Sequence, residues 1–93
     1  MITSGQMRAA RALLGIDQRR LAESSGVSLP TIQRMEQSDG VVRGMIDNLV
    51  KILVVFDEMG VEMISDSAKS HAGGRGVRLK QAPSEKRSPP AHT

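Results

Sequence analysis

Apolar residues recur at helical spacing up to Gly60 and at strand spacing beyond it. Met7, Ala10, Leu13 and Leu14 fall at the three- and four-residue intervals of one helical face. Ser4 is the expected N-cap of that helix, and Gly15 the residue able to close it with positive φ. A second helix is expected over residues 18–25, capped by Asp17 and ended by Gly26, with Leu21 and Ala22 turned inward. A third is expected over residues 29–38. Ser28 caps it, Pro30 stands in the first turn where a missing N–H costs nothing, and Ile32 and Met35 face inward. Ser38, Asp39 and Gly40 then break it. The longest helix is expected over residues 44–59, on a stripe of Met45, Leu49, Ile52, Leu53 and Phe56.

Past Gly60 the period falls to two. Val61 and Met63 alternate with Glu62, and Val77 and Leu79 alternate with Arg78 and Lys80. These read as two short strands, joined by a Ser-, Gly- and Ala-rich loop over residues 65–76. Two strands this short are marginal alone, so they are expected to lie on a partner's strands in a dimer or against Phe56. After Lys80 the sequence is rich in Pro, Ser and charge without periodicity and is expected to be disordered. The fold class that follows is mainly α: four helices over residues 1–60, a short C-terminal β-strand pair over 61–80, and a disordered tail over 81–93.

Bulk properties narrow the function. At 93 residues the chain supports one small domain. With no cysteine there is neither disulfide nor thiolate metal site, which fits a cytoplasmic protein. The longest apolar run, residues 52–56, falls far short of the ~18 residues of a membrane span. Residues 1–5 lack the basic-then-apolar order of a secretory leader. Phe56 is the only aromatic residue, which speaks against a base-stacking surface for single strands or RNA. The net charge of +3 is unevenly spread. Residues 1–60 hold seven basic and seven acidic side chains, and residues 61–93 hold six and three. Local clustering therefore matters more than net charge. His71 and His92 have no second ligand at metal spacing, and the Gly73-Gly74-Arg75-Gly76 run lacks the Lys-Ser/Thr and helix of a phosphate loop. Neither cofactor nor metal is expected. No nucleophile, base and orienting partner recur at a recognisable spacing, so no enzyme activity is expected.

The informative block is Gln18-x-x-Leu21-Ala22-x-x-Ser25-Gly26-Val27-Ser28-x-x-Thr31-Ile32-x-x-Met35-Glu36. It specifies two short helices joined by a tight turn. Ala22 is small enough for a close helix crossing, Gly26 supplies the unusual φ of the turn, and Val27 plugs it from below. A plain helical bundle does not require these residues at these spacings. With Ile32 and Met35 inward, the opposite face of the second helix carries Ser28, Leu29, Thr31, Gln33, Arg34 and Gln37. Hydroxyls, amides and one guanidinium without a carboxylate suit a groove of acceptors and phosphates. Arg19 and Arg20 are open to two readings, phosphate contacts or a solvated helix face.

Over about residues 6–57 the chain resembles the Cro and lambda-repressor type of helix-turn-helix, the xenobiotic-response-element family. Leu14-Gly15-Ile16-Asp17-Gln18 is similar to the way that family begins its second helix, and Gly26-Val27-Ser28 to its turn. Glu36 stands where the family keeps a glutamate, and Arg11 where it keeps the arginine that pairs with it. The resemblance implies a lambda-repressor-like fold and binding to double-stranded DNA. It implies that Gln18 contacts a phosphate, that Ser28, Leu29 and Thr31 meet base edges or backbone, that Arg34 reaches a base or phosphate, and that Arg43 contacts the backbone, while the outward position of Gln33 adds it to the DNA-facing set. It assigns Arg11 and Glu36 a structural ion pair. Leu29 and Pro30 depart from the polar residues common at those positions, which implies sparse direct readout. The expected protein is a dimeric repressor or autoregulator that places the helix 29–38 in the major groove. The alternative is an antitoxin-like or antagonist module that keeps the fold and binds a regulatory protein partner.

Overall fold

The computed structural model describes residues 2–42, 44–64 and 74–80. The expectations for Arg43, for the loop 65–73 with His71, and for the tail 81–93 with His92 lie outside these residues.

Among the described residues four helices precede an antiparallel strand pair: α1 (Ser4–Leu14), α2 (Gln18–Ser25), α3 (Leu29–Glu36), α4 (Ile46–Glu58), β1 (Val61–Ile64) and β2 (Gly76–Leu79). The chain is thus mainly helical, as its periodicity indicates. The first cap differs from expectation. Thr3, not Ser4, is the N-cap of α1, and the helix starts three residues before Met7. The Thr3 hydroxyl accepts the Gln6 N–H while Gln6 Oε1 accepts the Thr3 N–H, a capping box that satisfies two otherwise orphaned donors. Ser4 is instead used at long range, its Oγ donating to the Ser38 carbonyl at 2.7 Å. Gly15 and Gly26 close α1 and α2 in the left-handed region, with φ of +68° and +77° that a side chain would strain. Asp17 and Ser28 cap α2 and α3 as expected.

The core gathers Met7 and Ala10 of α1, Leu21 of α2, Val27 of the turn, Ile32 and Met35 of α3, and Leu49, Ile52, Val55 and Phe56 of α4. Ile2, Val42 and Val61 complete it. Two helices are shorter than expected. α3 ends at Glu36, with Gln37 as its C-cap, rather than running to Ser38. α4 begins at Ile46, so Met45 is its cap and stands 68% exposed instead of joining the inward stripe. The segment before α4 is held by the N-terminus. Thr3 bridges Val41, the Val42 N–H donates to the Ile2 carbonyl, and the Ser4 N–H donates to Gly40.

β1 and β2 pair with each other within the chain, with Val61 opposite Leu79 and Met63 opposite Val77. This arrangement puts Val61, Met63, Val77 and Leu79 against the core and leaves Glu62 and Arg78 outward as a cross-strand ion pair. Gln6 Nε2 donates to the carbonyls of both Ile64 and Gly76, so the side chain that closes the α1 cap also fastens the end of the strand pair.

Candidate nucleic-acid interface

The placement of α3 follows from one buried carboxylate. Glu36 lies at the last residue of α3, with its side chain 2% exposed. Its Oε2 accepts from Arg11 Nε at 2.7 Å, and its Oε1 accepts from Arg11 Nη2 at 2.7 Å and from Gln18 Nε2 at 3.0 Å. A two-pronged guanidinium–carboxylate contact sets angle as well as distance. Arg11 comes from α1 and Gln18 from the first position of α2, so three helices meet at this carboxylate. Arg11 Nη1 also donates to the Ile16 carbonyl at 3.3 Å, and Arg8 Nη1 donates to the Glu36 carbonyl. The hydrogen bonds to Glu36 raise the Arg11 pKa, burial opposes them, and the charges of Glu36 and Asp17 add to the rise. The guanidinium therefore stays charged throughout the accessible pH range.

With Ile32, Met35 and Glu36 turned inward, α3 presents its other side to solvent. Ser28, Gln33, Arg34 and Gln37 are exposed, and Leu29 and Thr31 are half-buried. Three of these side chains are linked along the helix. Ser28 Oγ accepts the Thr31 N–H, as a cap does, and donates to Thr31 Oγ1 at 2.8 Å. Arg34 Nη2 donates to the same Thr31 oxygen at 3.3 Å. The long Arg34 side chain thus leans toward the N-terminal turn of α3. Beside it a cleft of about 420 Å³ runs between α3 and the start of α4, lined by Thr31, Arg34, Ser38, Met45 and Asn48 among others. Among the described residues its polar lining contains donors and no carboxylate.

The structure therefore brings Ser28, Thr31, Gln33 and Arg34 to one surface, with Leu29 at its edge, and sets Gln18 behind it at the Glu36 carboxylate. One N–H of the Gln18 amide goes to Glu36, which leaves a second N–H and the carbonyl oxygen for another partner. Arg43 lies outside the described residues. Arg19 and Arg20 are both exposed, and Arg20 Nε donates to Ser24 Oγ. Sequence reasoning missed Arg8, Gln6 and Ile2. The capping box had a visible signal in the Thr3-Ser4-Gly5-Gln6 spacing. The contacts of Arg8 with α3 and of Ile2 with Val42 had none, since each joins segments far apart in the chain.

A family model described as helix-turn-helix matches residues 7–58, from the middle of α1 to the end of α4. The matched span contains Arg11, Gln18, all of α3 and Glu36. No curated protein matches the chain.

Proposed function

The chain belongs to the Cro/lambda-repressor-type helix-turn-helix family of DNA-binding transcription regulators, and from that premise we propose that it is a dimeric repressor or autoregulator that reads a short two-fold operator in the cytoplasm. Residues 1–60 are the reading unit and the β1–β2 pair is an extension that braces α1. α3 enters the major groove with its N-terminal half toward the bases. Arg34 reads a base edge, a guanine being the partner whose two acceptors suit a guanidinium. Ser28, Leu29, Thr31 and Gln33 line the contact, and Leu29 offers apolar surface to a thymine methyl. Gln18, anchored on Glu36, gives its free amide N–H to a phosphate, and Arg43 and the cleft beside α3 take the neighbouring backbone. Repression follows from occupying a site that polymerase would use, which needs no second activity.

The observation that carries this reading is the carboxylate-free outward face of α3, held in place by the Arg11–Gln18–Glu36 cluster. Selection from a randomised duplex pool, followed by anisotropy titration at two salt concentrations, tests it. An enriched two-fold motif whose affinity falls with salt is expected. Arg34→Ala should then weaken operator binding by about 1–3 kcal/mol with the melting temperature unchanged. Full retention of affinity would sink this docking. An unenriched pool, together with copurification of one stoichiometric protein, would instead mark the domain as an antitoxin-like or antagonist interaction module.

A further inference from the structure

α4 is apolar on two sides. Leu49, Ile52, Val55 and Phe56 are buried in the core. Ile46, Val50 and Val54 stand on another side, 70%, 50% and 47% exposed. At four-residue intervals these three drift only about 80° around the helix, so they form one stripe. Scattered exposed apolar residues are ordinary. A stripe that runs most of the length of a helix whose opposite side is already buried marks a helix covered on both sides. The β1–β2 pair does not cover it, because those strands pair with each other and pack on the core through Val61, Met63, Val77 and Leu79.

The charges beside the stripe indicate the occupant. Asp47 and Lys51 flank it one turn apart, and both are exposed. Among the described residues ion pairs join Arg11 to Glu36, Arg78 to Glu62 and Lys80 to Asp57, and neither Asp47 nor Lys51 takes part in one. A two-fold axis that relates antiparallel helices keeps the same flank of each on the same side of the interface. With that axis at the height of Leu49, Asp47 of each copy comes level with Lys51 of the other. In the same register Ile46 of one copy falls between Val50 and Val54 of the other, in the interdigitated manner of packed helices. One register thus satisfies the apolar stripe and both charges.

We infer that the Ile46–Val50–Val54 stripe is the face on which a second copy of this chain docks, α4 against α4 antiparallel, with two reciprocal Asp47–Lys51 pairs. This names the pairing surface of the dimer proposed above and rests on that reading. The outward residues of α3 take no part in it and remain free for DNA.

Sedimentation equilibrium of the full chain, from low micromolar to near-millimolar concentration, tests the inference. The wild type should self-associate to a dimer. Val50→Glu should raise the dimer dissociation constant at least about tenfold with unchanged helix content by circular dichroism. Asp47→Lys and Lys51→Asp should each weaken association, and mixing these two variants in equal amounts should restore it as a heterodimer. A wild type that stays monomeric overturns the inference. So does a Val50→Glu variant as dimeric as the wild type, which would place the contact on another face such as the strand edge, and so does a mixture no tighter than its components. On DNA, Val50→Glu should keep wild-type affinity for a single half-site and lose the preference for a duplicated one. If the wild type dimerises in this way but binds no duplex, the operator-binding reading fails and the pairing face stands.

Discussion

Glu36→Ala is expected to be among the most damaging single substitutions in this chain, and the reason lies in what it leaves behind. The Glu36 carboxylate is 2% exposed and accepts three hydrogen bonds, two from Arg11 and one from Gln18. Truncation strands the Arg11 guanidinium, itself only 19% exposed, with the single 3.3 Å contact to Ile16. Breaking a buried pair from one side costs about 3–5 kcal/mol, because an uncompensated charge remains. A domain of this size has about 5–14 kcal/mol of stability in all. The substitution thus removes a large share of it and should lower the melting temperature by about 15 °C or more. With no tryptophan or tyrosine, unfolding is best followed by far-UV circular dichroism in urea and on heating. The cycle of Arg11→Ala, Glu36→Ala and their combination isolates the pair. If the two side chains act as a unit, the double variant should cost little more than either single one, so that the coupling approaches the cost of one single variant. Replacing both by apolar residues, as in Arg11→Met with Glu36→Leu, should recover much of the loss. A Glu36→Ala cost under about 1 kcal/mol, or a double variant costing the full sum, would refute the reasoning. The pH response has a definite sign. The folded Arg11 pKa is raised, so its contribution is complete below the unfolded value and lost only as pH rises through the folded one. That range lies above ordinary guanidinium basicity, so Arg11 should cause no loss of stability between about pH 7 and 10.

Gln6→Ala should cost about 2 kcal/mol, since it removes half of the capping box and uncovers the Ile64 and Gly76 carbonyls. Amide exchange should quicken in β1 and β2 more than in α2 and α3, and unchanged strand protection would show that Gln6 does not fasten them. Thr31→Val removes the oxygen that accepts from Ser28 and Arg34 while keeping the branched shape. It should reduce discrimination at the base pair that the proposed docking assigns to Arg34 by about 1 kcal/mol, and Thr31→Ser should preserve it. Competition titrations against single-base operator variants would measure both, and equal discrimination in Thr31→Val and wild type would dismiss Thr31 as a positioning residue.

Much of this fold was legible in the chain itself. The caps Asp17 and Ser28, the glycines Gly15 and Gly26, and the apolar spacing of Leu21, Ile32 and Met35 are local signals, and each acts within a few residues of where it is written. They determine α2, the turn and α3, and with them the outward set Ser28, Thr31, Gln33 and Arg34. The strands too were visible as a change of period after Gly60. What the tertiary structure alone decided is every arrangement that joins distant segments. The pairing of β1 with β2 within the chain joins segments twelve or more residues apart, and Gln6 of α1 fastens its end through the Ile64 and Gly76 carbonyls. Whether the loop before α4 is fixed depends on Ile2, Thr3 and Ser4 bonding to residues 38–42. The inward stripe of α4 was misplaced at Met45 because spacing gives the angle around a helix, whereas the exit of the preceding loop decides where the helix begins. The second apolar stripe of the same helix, Ile46, Val50 and Val54, could not be told from core by periodicity. Hydrophobic spacing is the same whether a residue meets its own domain or is left for another surface, and only the packed structure separates the two.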